Sequence, residues 1–182
     1  MSNSVITDGS GAGAAKATVK DGKLHVKSIS QTALEDVSAE VGQAFSYTST
    51  FATGGTGIEI MTIKNDVNQH MHIDQVWIGA ADLAVFSIGK MTSGTPAGTT
   101  ITGSPLNHDL SRVADTTAFG NASVTGSVVN NDMAWLQVPA DQTILFDLEG
   151  AWVFGKDDVF VIRCDTNTTV YATVICHMDP ID

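Results

Sequence analysis

Near its C-terminus, between residues 134 and 177, the chain alternates short apolar runs with polar turn residues. The apolar runs span residues 135–138, 144–148, 159–164 and 168–177. Such short runs leave no room for the apolar period near 3.6 that a helix needs, and they are rich in β-branched and aromatic residues. This pattern predicts the second half of an antiparallel β-sandwich whose two sheets share one core.

Strands at similar spacing are predicted in the preceding part of the chain. The predicted strands are 45–51, 58–64, 70–77, 83–88 and, more weakly, 122–129, with short pairing at 100–102. Residues 92–99 and 103–120 are predicted as loops, the second long enough to carry a function. A body of about eight to ten strands predicts an all-β, jelly-roll-like fold.

The first 30 residues differ from this body. Residues 1–15 are rich in glycine, which disfavours regular structure. Two β-prone runs, 17–20 and 23–30, flank Asp21-Gly22, a dipeptide typical of the tight turn of a β-hairpin. We therefore predict an extended N-terminal arm and hairpin over residues 1–30 and a sandwich domain over residues 31–182.

Residues 32–41 at the start of the sandwich domain are the best helix candidate in the chain. Thr32 and Glu35 fit a capping box, and the apolar residues that follow have helical spacing. An ordered linker is the alternative interpretation.

The net charge of −11 argues against binding to nucleic acid or to anionic lipid. Residues 1–30 are an exception, because they hold four lysines against two aspartates. The arm is therefore predicted to contact an acidic surface, such as a neighbouring copy, although a solvated tail fits the same charge. The predicted interface residues are Lys16, Lys20, Lys23, His25 and Lys27.

The two cysteines are predicted to be free. If 159–164 and 169–176 formed a hairpin, Cys164 and Cys176 would lie far apart along it, beyond the reach of a disulfide. No secretory leader and no apolar run of membrane-spanning length is present, which predicts folding in a reducing cytoplasm.

His70, His72 and Asp74 are the sharpest candidates for chemistry. In a strand they share one face, and imidazole and carboxylate groups are metal-ligand types. The alternative, which we favour, is an exposed polar face opposite apolar Met71 and Ile73. We therefore predict no metal and no cofactor.

Other polar groups are weaker candidates. Asp157, Asp158 and Asp165 are calcium-ligand types without a calcium-loop pattern, so solvated turn residues are favoured. His108, Asp109 and Arg112 suit acid–base chemistry, but hydrogen bonding within a loop is favoured. The three tryptophans could form a sugar-binding platform, but core or interface positions are favoured; they are Trp77, Trp135 and Trp152. No common catalytic motif occurs, so the sequence predicts no enzyme.

Three stretches carry a resemblance to known proteins. They are ITDGSGAGAAKATVKDGKLHVKSIS at the front, KMTSGTPAGTTITGSPLN in the middle, and VPADQTILFDLEGAWVFGKDDVFVIRC with TNTTVYATVICH at the back. Together they resemble small virion structural proteins of tailed bacteriophages, in which a glycine-rich arm precedes a β-sandwich. The resemblance carries no catalytic or ligand residues with it.

The resemblance implies a non-enzymatic part of the virion, assembled in the host cytoplasm. The implied role is a capsid decoration or cement protein that binds the outer shell, through the major capsid protein or another virion protein, and neighbouring copies as a homotrimer. Two alternatives remain. The first is a tail- or fibre-associated module that binds a host receptor or glycan, and the second is a cupin-like metal protein built on His70, His72 and Asp74.

Overall fold

The computed structural model describes the backbone of residues 5–6, 17–20, 23–26, 43–107 and 113–180. These residues are all-β and contain no helix. None of them therefore forms a helix with the length and hydropathy required for crossing a membrane. The chain divides into two compact units, Met1–Thr32 and Ala33–Asp182.

The first unit contains a three-stranded antiparallel sheet. Its strands are β1 (Val5–Ile6), β2 (Ala17–Lys20) and β3 (Lys23–Val26), in the order β1-β2-β3. Lys20 pairs with Lys23, so two residues connect β2 and β3, and the predicted hairpin is confirmed. The sequence pattern did not predict β1. The predicted helix at 32–41 lies outside the described residues.

The second unit is an antiparallel β-sandwich, as predicted. Its strands are β4 (Ala44–Ala52), β5 (Ile58–Asn65), β6 (Gln69–Ala80), β7 (Ala84–Ile101), β8 (Ser104–Pro105), β9 (Thr116–Val138), β10 (Gln142–Phe154), β11 (Val159–Cys164) and β12 (Thr169–Pro180). The first sheet has the order β10-β6-β12-β4-β8, and the second consists of β11, β5, β9 and β7.

The pairing of these strands is that of a jelly roll. Strands β4, β5, β6 and β7 pair with β12, β11, β10 and β9 respectively, so the first half of the domain runs antiparallel to the second. From β4 to β12, successive strands alternate between the first and the second sheet. This winding confirms the jelly-roll prediction.

The shared core lies between the two sheets and is filled by aromatic and aliphatic side chains. Tyr47, Phe86, Phe154 and Phe160 are among its largest fully buried members. The rings of Phe154 and Phe160 meet edge to face, with centroids 5.7 Å apart. Because β-strands alternate their side chains, every second residue of these strands is left for the outer faces of the sandwich.

The second sheet closes on itself through its two longest strands. One end of the β7–β9 ribbon pairs with β11 and the other end pairs with β5, which completes a circuit of four strands. The β7–β9 ladder has four register shifts, and Gly94 and Gly98 have positive φ of 98° and 137°. Bulges of this kind bend a strand and are frequent in closed sheets.

Two predicted loops were wrong, and the hairpin considered for the cysteines does not form. Residues 92–99 are not a loop but part of β7. The predicted loop 103–120 contains β8 and the start of β9. Strands β11 and β12 lie in different sheets and form no hairpin. Both cysteines are nevertheless free, as predicted, and both are buried.

Candidate functional site

The outer face of the first sheet carries the most distinctive surface of the described chain. One row across this face consists of Leu145, Trp77, Thr173 and Thr48, in register on four adjacent strands. The next row brings Tyr171 between Gly79 and Thr50. We call the exposed and half-exposed side chains of these rows the aromatic–threonine patch, defined as Thr48, Thr50, Trp77, Thr143, Leu145, Tyr171 and Thr173.

The aromatic–threonine patch contains no charged side chain, although the chain has a net charge of −11. Trp77 is 40% exposed and Tyr171 is 49% exposed. The hydroxyls of Thr48 and Thr173 are hydrogen-bonded to each other across the strands at 3.1 Å. A sheet surface that combines exposed aromatic rings with hydroxyl groups and lacks charge has the composition of an interface core.

A bulge separates this patch from the far end of the same face. Gln75 pairs with Ile175 and Ile73 with Cys176, so Asp74 is an extra residue of β6 without a partner on β12. The neighbouring strand β10 also leaves the ladder here, between Asp147 and Trp152. Bulges of this kind redirect side chains, and they occur often beside functional sites.

Asp74 is only 3% exposed and is paired with an equally buried histidine. Its two carboxylate oxygens lie 3.0 and 2.9 Å from Nδ1 of His177 on β12. An ionised carboxylate can only accept, so Nδ1 of His177 is the donor. Nε2 of His177 is therefore left without a proton when the ring is neutral.

A second imidazole lies against the first. His72 pairs with His177 across β6 and β12, and the two rings stack with centroids 4.8 Å apart and planes 9° apart. Nδ1 of His72 is 3.0 Å from the carbonyl oxygen of Gly150. A carbonyl oxygen only accepts, so this Nδ1 also carries the proton, and Nε2 of His72 is likewise free when the ring is neutral.

A second carboxylate closes the group. Asp179 lies two residues beyond His177 on β12, and its oxygens are 3.5 Å from Nε2 of His72 and 3.8 Å from Nε2 of His177. One ligand atom from each of His72, His177 and Asp179 lies within 4.8 Å of the others. We call these three residues the His–His–Asp cluster.

Gly150 allows the chain to pass over this cluster. Its φ is +74°, a conformation that favours glycine. A Cβ atom at this position would lie 3.2 Å from both Oδ1 of Asp74 and Cε1 of His177. The excursion of β10 therefore covers the buried His177–Asp74 pair, while the Asp179 side chain remains 39% exposed.

The structure places the three metal-ligand candidates in different environments. His72 belongs to the His–His–Asp cluster, whereas Asp74 contacts His177 as a buried hydrogen-bond partner. His70 is exposed, and its ring centroid is 6.4 Å from that of His72. His177 and Asp179 were missed, although His177 ends the predicted run 168–177 and the alternation of His177, Met178 and Asp179 was a visible signal that the strand continues.

The three aspartates considered as calcium ligands each form an ion pair with a different cation. Asp157 lies 2.8 Å from Nζ of Lys64, and this ammonium group lowers the pKa of the carboxyl. Asp158 pairs with Lys90 at 2.6 Å and Asp165 pairs with Arg163 at 2.9 Å. Within the described residues, these carboxylates are not gathered around one point.

The remaining candidates are dispersed. Trp77 and Trp135 are exposed on outer faces of opposite sheets, and Trp152 is half-buried against Phe146, so the tryptophans form no common platform. The possible acid–base residues lie outside the described residues; they are His108, Asp109 and Arg112.

The structure describes only three of the five predicted interface residues. Lys20 lies in β2, and Lys23 and His25 lie in β3. Lys16 and Lys27 lie outside the described residues. The role of these five residues stays a prediction.

Comparisons with known proteins return no relatives. No family model, no curated protein and no solved structure matches this chain.

Proposed function

We propose that this chain is a non-enzymatic structural protein of a tailed-bacteriophage virion. In this proposal it decorates the capsid, binding the outer shell and neighbouring copies, and stabilises the particle. The observation that carries the proposal is the aromatic–threonine patch, an uncharged area with exposed Trp77 and Tyr171 on an otherwise acidic domain. The sequence resemblance to small virion proteins supports the same role.

The shape of the patch suits docking onto a protein shell. It lies on a hydrogen-bonded sheet whose rows are fixed in register, so little conformational entropy is lost when a partner covers it. Tyrosine and tryptophan are the side chains that contribute most at interface centres. A stable interface needs about 800 Å² from each partner.

The N-terminal unit supplies a second element of the proposal. Its three-stranded sheet is compact by itself, and the surrounding segment is the basic part of an acidic chain. An arm of this kind can reach the acidic domain of a neighbouring copy, and many copies on a lattice add avidity. A homotrimer would match the threefold positions of a capsid.

The role is tested with particles that lack this protein. Capsids purified from a phage deleted for the gene should have missing density on the outer shell and should rupture at lower temperature or milder osmotic shock. Adding the purified protein back should restore both the density and the resistance. Deleted capsids that are complete in density and equally resistant would contradict a decorating role.

A second candidate function is recognition of a host glycan from a tail or fibre. The specific observation in its favour is that exposed aromatic rings and threonine hydroxyls share one face, a combination that also suits sugar rings. Binding to a glycan array that is abolished by Trp77→Ala, together with density at the tail in a particle reconstruction, would favour this function over decoration.

A further inference from the structure

We propose that the His–His–Asp cluster is a binding site for a first-row divalent transition metal, Zn²⁺ in particular. The site would use Nε2 of His72, Nε2 of His177 and a carboxylate oxygen of Asp179. Ligand atoms of the three residues lie within 4.8 Å of one another, and the Asp179 carboxylate lies 3.5 Å from Nε2 of His72 and 3.8 Å from Nε2 of His177. This inference is independent of the virion role, because it depends only on the geometry at one end of the first sheet.

The donor set fits such an ion. Two imidazoles and one carboxylate are ligands that zinc and its neighbours bind, with bonds of about 2.0–2.2 Å. Closing the three atoms onto one ion requires movements on the order of 1 Å, which the half-exposed Asp179 and the partly exposed His72 can make. The exposed side of Asp179 leaves a coordination position open to water or to a partner's side chain.

The tautomers of both histidines already suit metal binding. Both histidines use Nδ1 as a donor, to Asp74 and to the carbonyl of Gly150, so both Nε2 atoms present lone pairs. Metal-bound histidines usually donate their second nitrogen to a carboxylate or a backbone carbonyl in this way. A buried carboxylate held on a bulge, with both oxygens directed at one imidazole, is the strongest sign of a built site.

The placement on the strands supports the same assignment. His72 and His177 face each other on adjacent strands, and Asp179 is the next outward residue on β12. Adjacent strands hold facing side chains about 4.5–5.5 Å apart at Cβ, so the backbone and not a flexible loop sets the ligand positions. The site therefore requires little ordering when the ion binds.

The test is a titration of the metal-free full-length protein with Zn²⁺ by isothermal calorimetry, with Co²⁺ absorption as a second readout. We expect one ion per chain, a Co²⁺ spectrum of a low-coordinate nitrogen–oxygen site, and a higher melting temperature with Zn²⁺. Asp179→Asn and His72→Gln should each weaken binding at least tenfold. Asp74→Asn should weaken it by about 10–100-fold through His177.

His70→Ala is the matched control, because it removes an exposed histidine from the same face of the same strand. It should bind Zn²⁺ with wild-type affinity and stoichiometry. The proposal is overturned if the wild type binds no stoichiometric ion, or if His70→Ala weakens binding as much as His72→Gln does. Asp179 is partly exposed, so its variant should fold even if the variants of buried residues do not.

Discussion

The outer faces of the two sheets differ, because within the described residues only the second sheet has a separate buried apolar cluster on its outer face. On the second sheet, Met91, Val159 and Val161 point away from the shared core and are still buried, because the β7–β9 ribbon closes the sheet into a circuit. On the first sheet, Trp77 and Tyr171 point away from the core and stay exposed. The second sheet therefore buries part of its outer face in this cluster, although Trp135 on β9 stays exposed, whereas the first sheet leaves a row of aromatic and threonine side chains exposed.

This difference indicates where the molecule can interact. A face that is already covered contributes to stability, whereas an exposed uncharged face with aromatic side chains contributes to association. The far end of the open face adds a buried polar centre around His177 and Asp74. Substitutions on the two outer faces should therefore separate effects on folding from effects on binding.

The largest expected effect on stability is at the buried polar centre. Asp74→Ala leaves Nδ1 of the buried His177 without its acceptor, and breaking a buried pair of this type costs about 3–5 kcal/mol in the free energy of unfolding. Urea unfolding followed by circular dichroism measures it. Thr50→Ala, at an exposed position on β4 near the other end of the same outer face, is the control and should change stability by less than about 0.5 kcal/mol. Equal effects would remove the distinction between the two ends of this face.

A pair of valines compares the two outer faces directly. Val161→Ala in the covered cluster should cost about 2 kcal/mol, because the methyl groups it loses are fully buried. Val153→Ala, at a position 49% exposed on the first sheet, should cost less than about 0.5 kcal/mol. Thermal and urea unfolding of both variants measure the difference. If Val153→Ala were the more damaging change, the covered and open faces would have been assigned the wrong way round.

The buried tyrosine of the inner face should make stability depend on alkaline pH. Burial raises the pKa of Tyr47, whose hydroxyl is hydrogen-bonded to that of Thr116 on the opposite sheet. A tyrosine in the unfolded chain has a pKa of about 10, whereas the pKa of buried Tyr47 is higher. Ionisation of the side chain therefore favours the unfolded chain. The stabilising contribution is complete below about pH 10 and is lost as the pH rises further.

Tyr47→Phe should therefore remove about 1 kcal/mol per pH unit from the slope of stability between about pH 10 and about pH 11, because the unfolded tyrosine is only partly ionised in this interval. Urea midpoints across this interval measure the slope. Burial also raises the pKa of Cys176, so a residual alkaline slope should remain in the variant. An unchanged slope would show that Tyr47 ionises as readily in the folded protein as in the unfolded one.

Local pattern predicted the sandwich because the apolar runs alternate with turns, and β11 begins and ends where the pattern placed it. It failed at residues 92–99, where glycine and Pro96 suggested a loop. That stretch pairs instead with the distant strand β9 through a bulged ladder. Long-range pairing of this kind leaves no trace in the local sequence, so glycine alone cannot distinguish a bulge from a turn.

The candidate site was half predictable for a similar reason. The alternation of His70, His72 and Asp74 drew attention to β6, but the bulge places Asp74 against His177 and the His72 ring beside Asp179. Only the pairing of β6 with β12 brings these residues together, and they are about 100 residues apart in the chain. The exposed face around Trp77 could not be predicted either, because alternation along a strand does not indicate which sheet leaves its outer face exposed.

The most direct test of the central claim, that the open face of the first sheet is the docking surface, compares two exposed tryptophans. Wild-type protein, Trp77→Ala and Trp135→Ala would be titrated onto capsids lacking this protein, and binding measured by co-sedimentation. Trp135 is the matched control, since it is 57% exposed on the opposite sheet. We predict that Trp77→Ala weakens binding at least about tenfold, as expected for an aromatic residue at an interface centre, while Trp135→Ala binds like the wild type. Binding that survives Trp77→Ala and is lost with Trp135→Ala would contradict the claim.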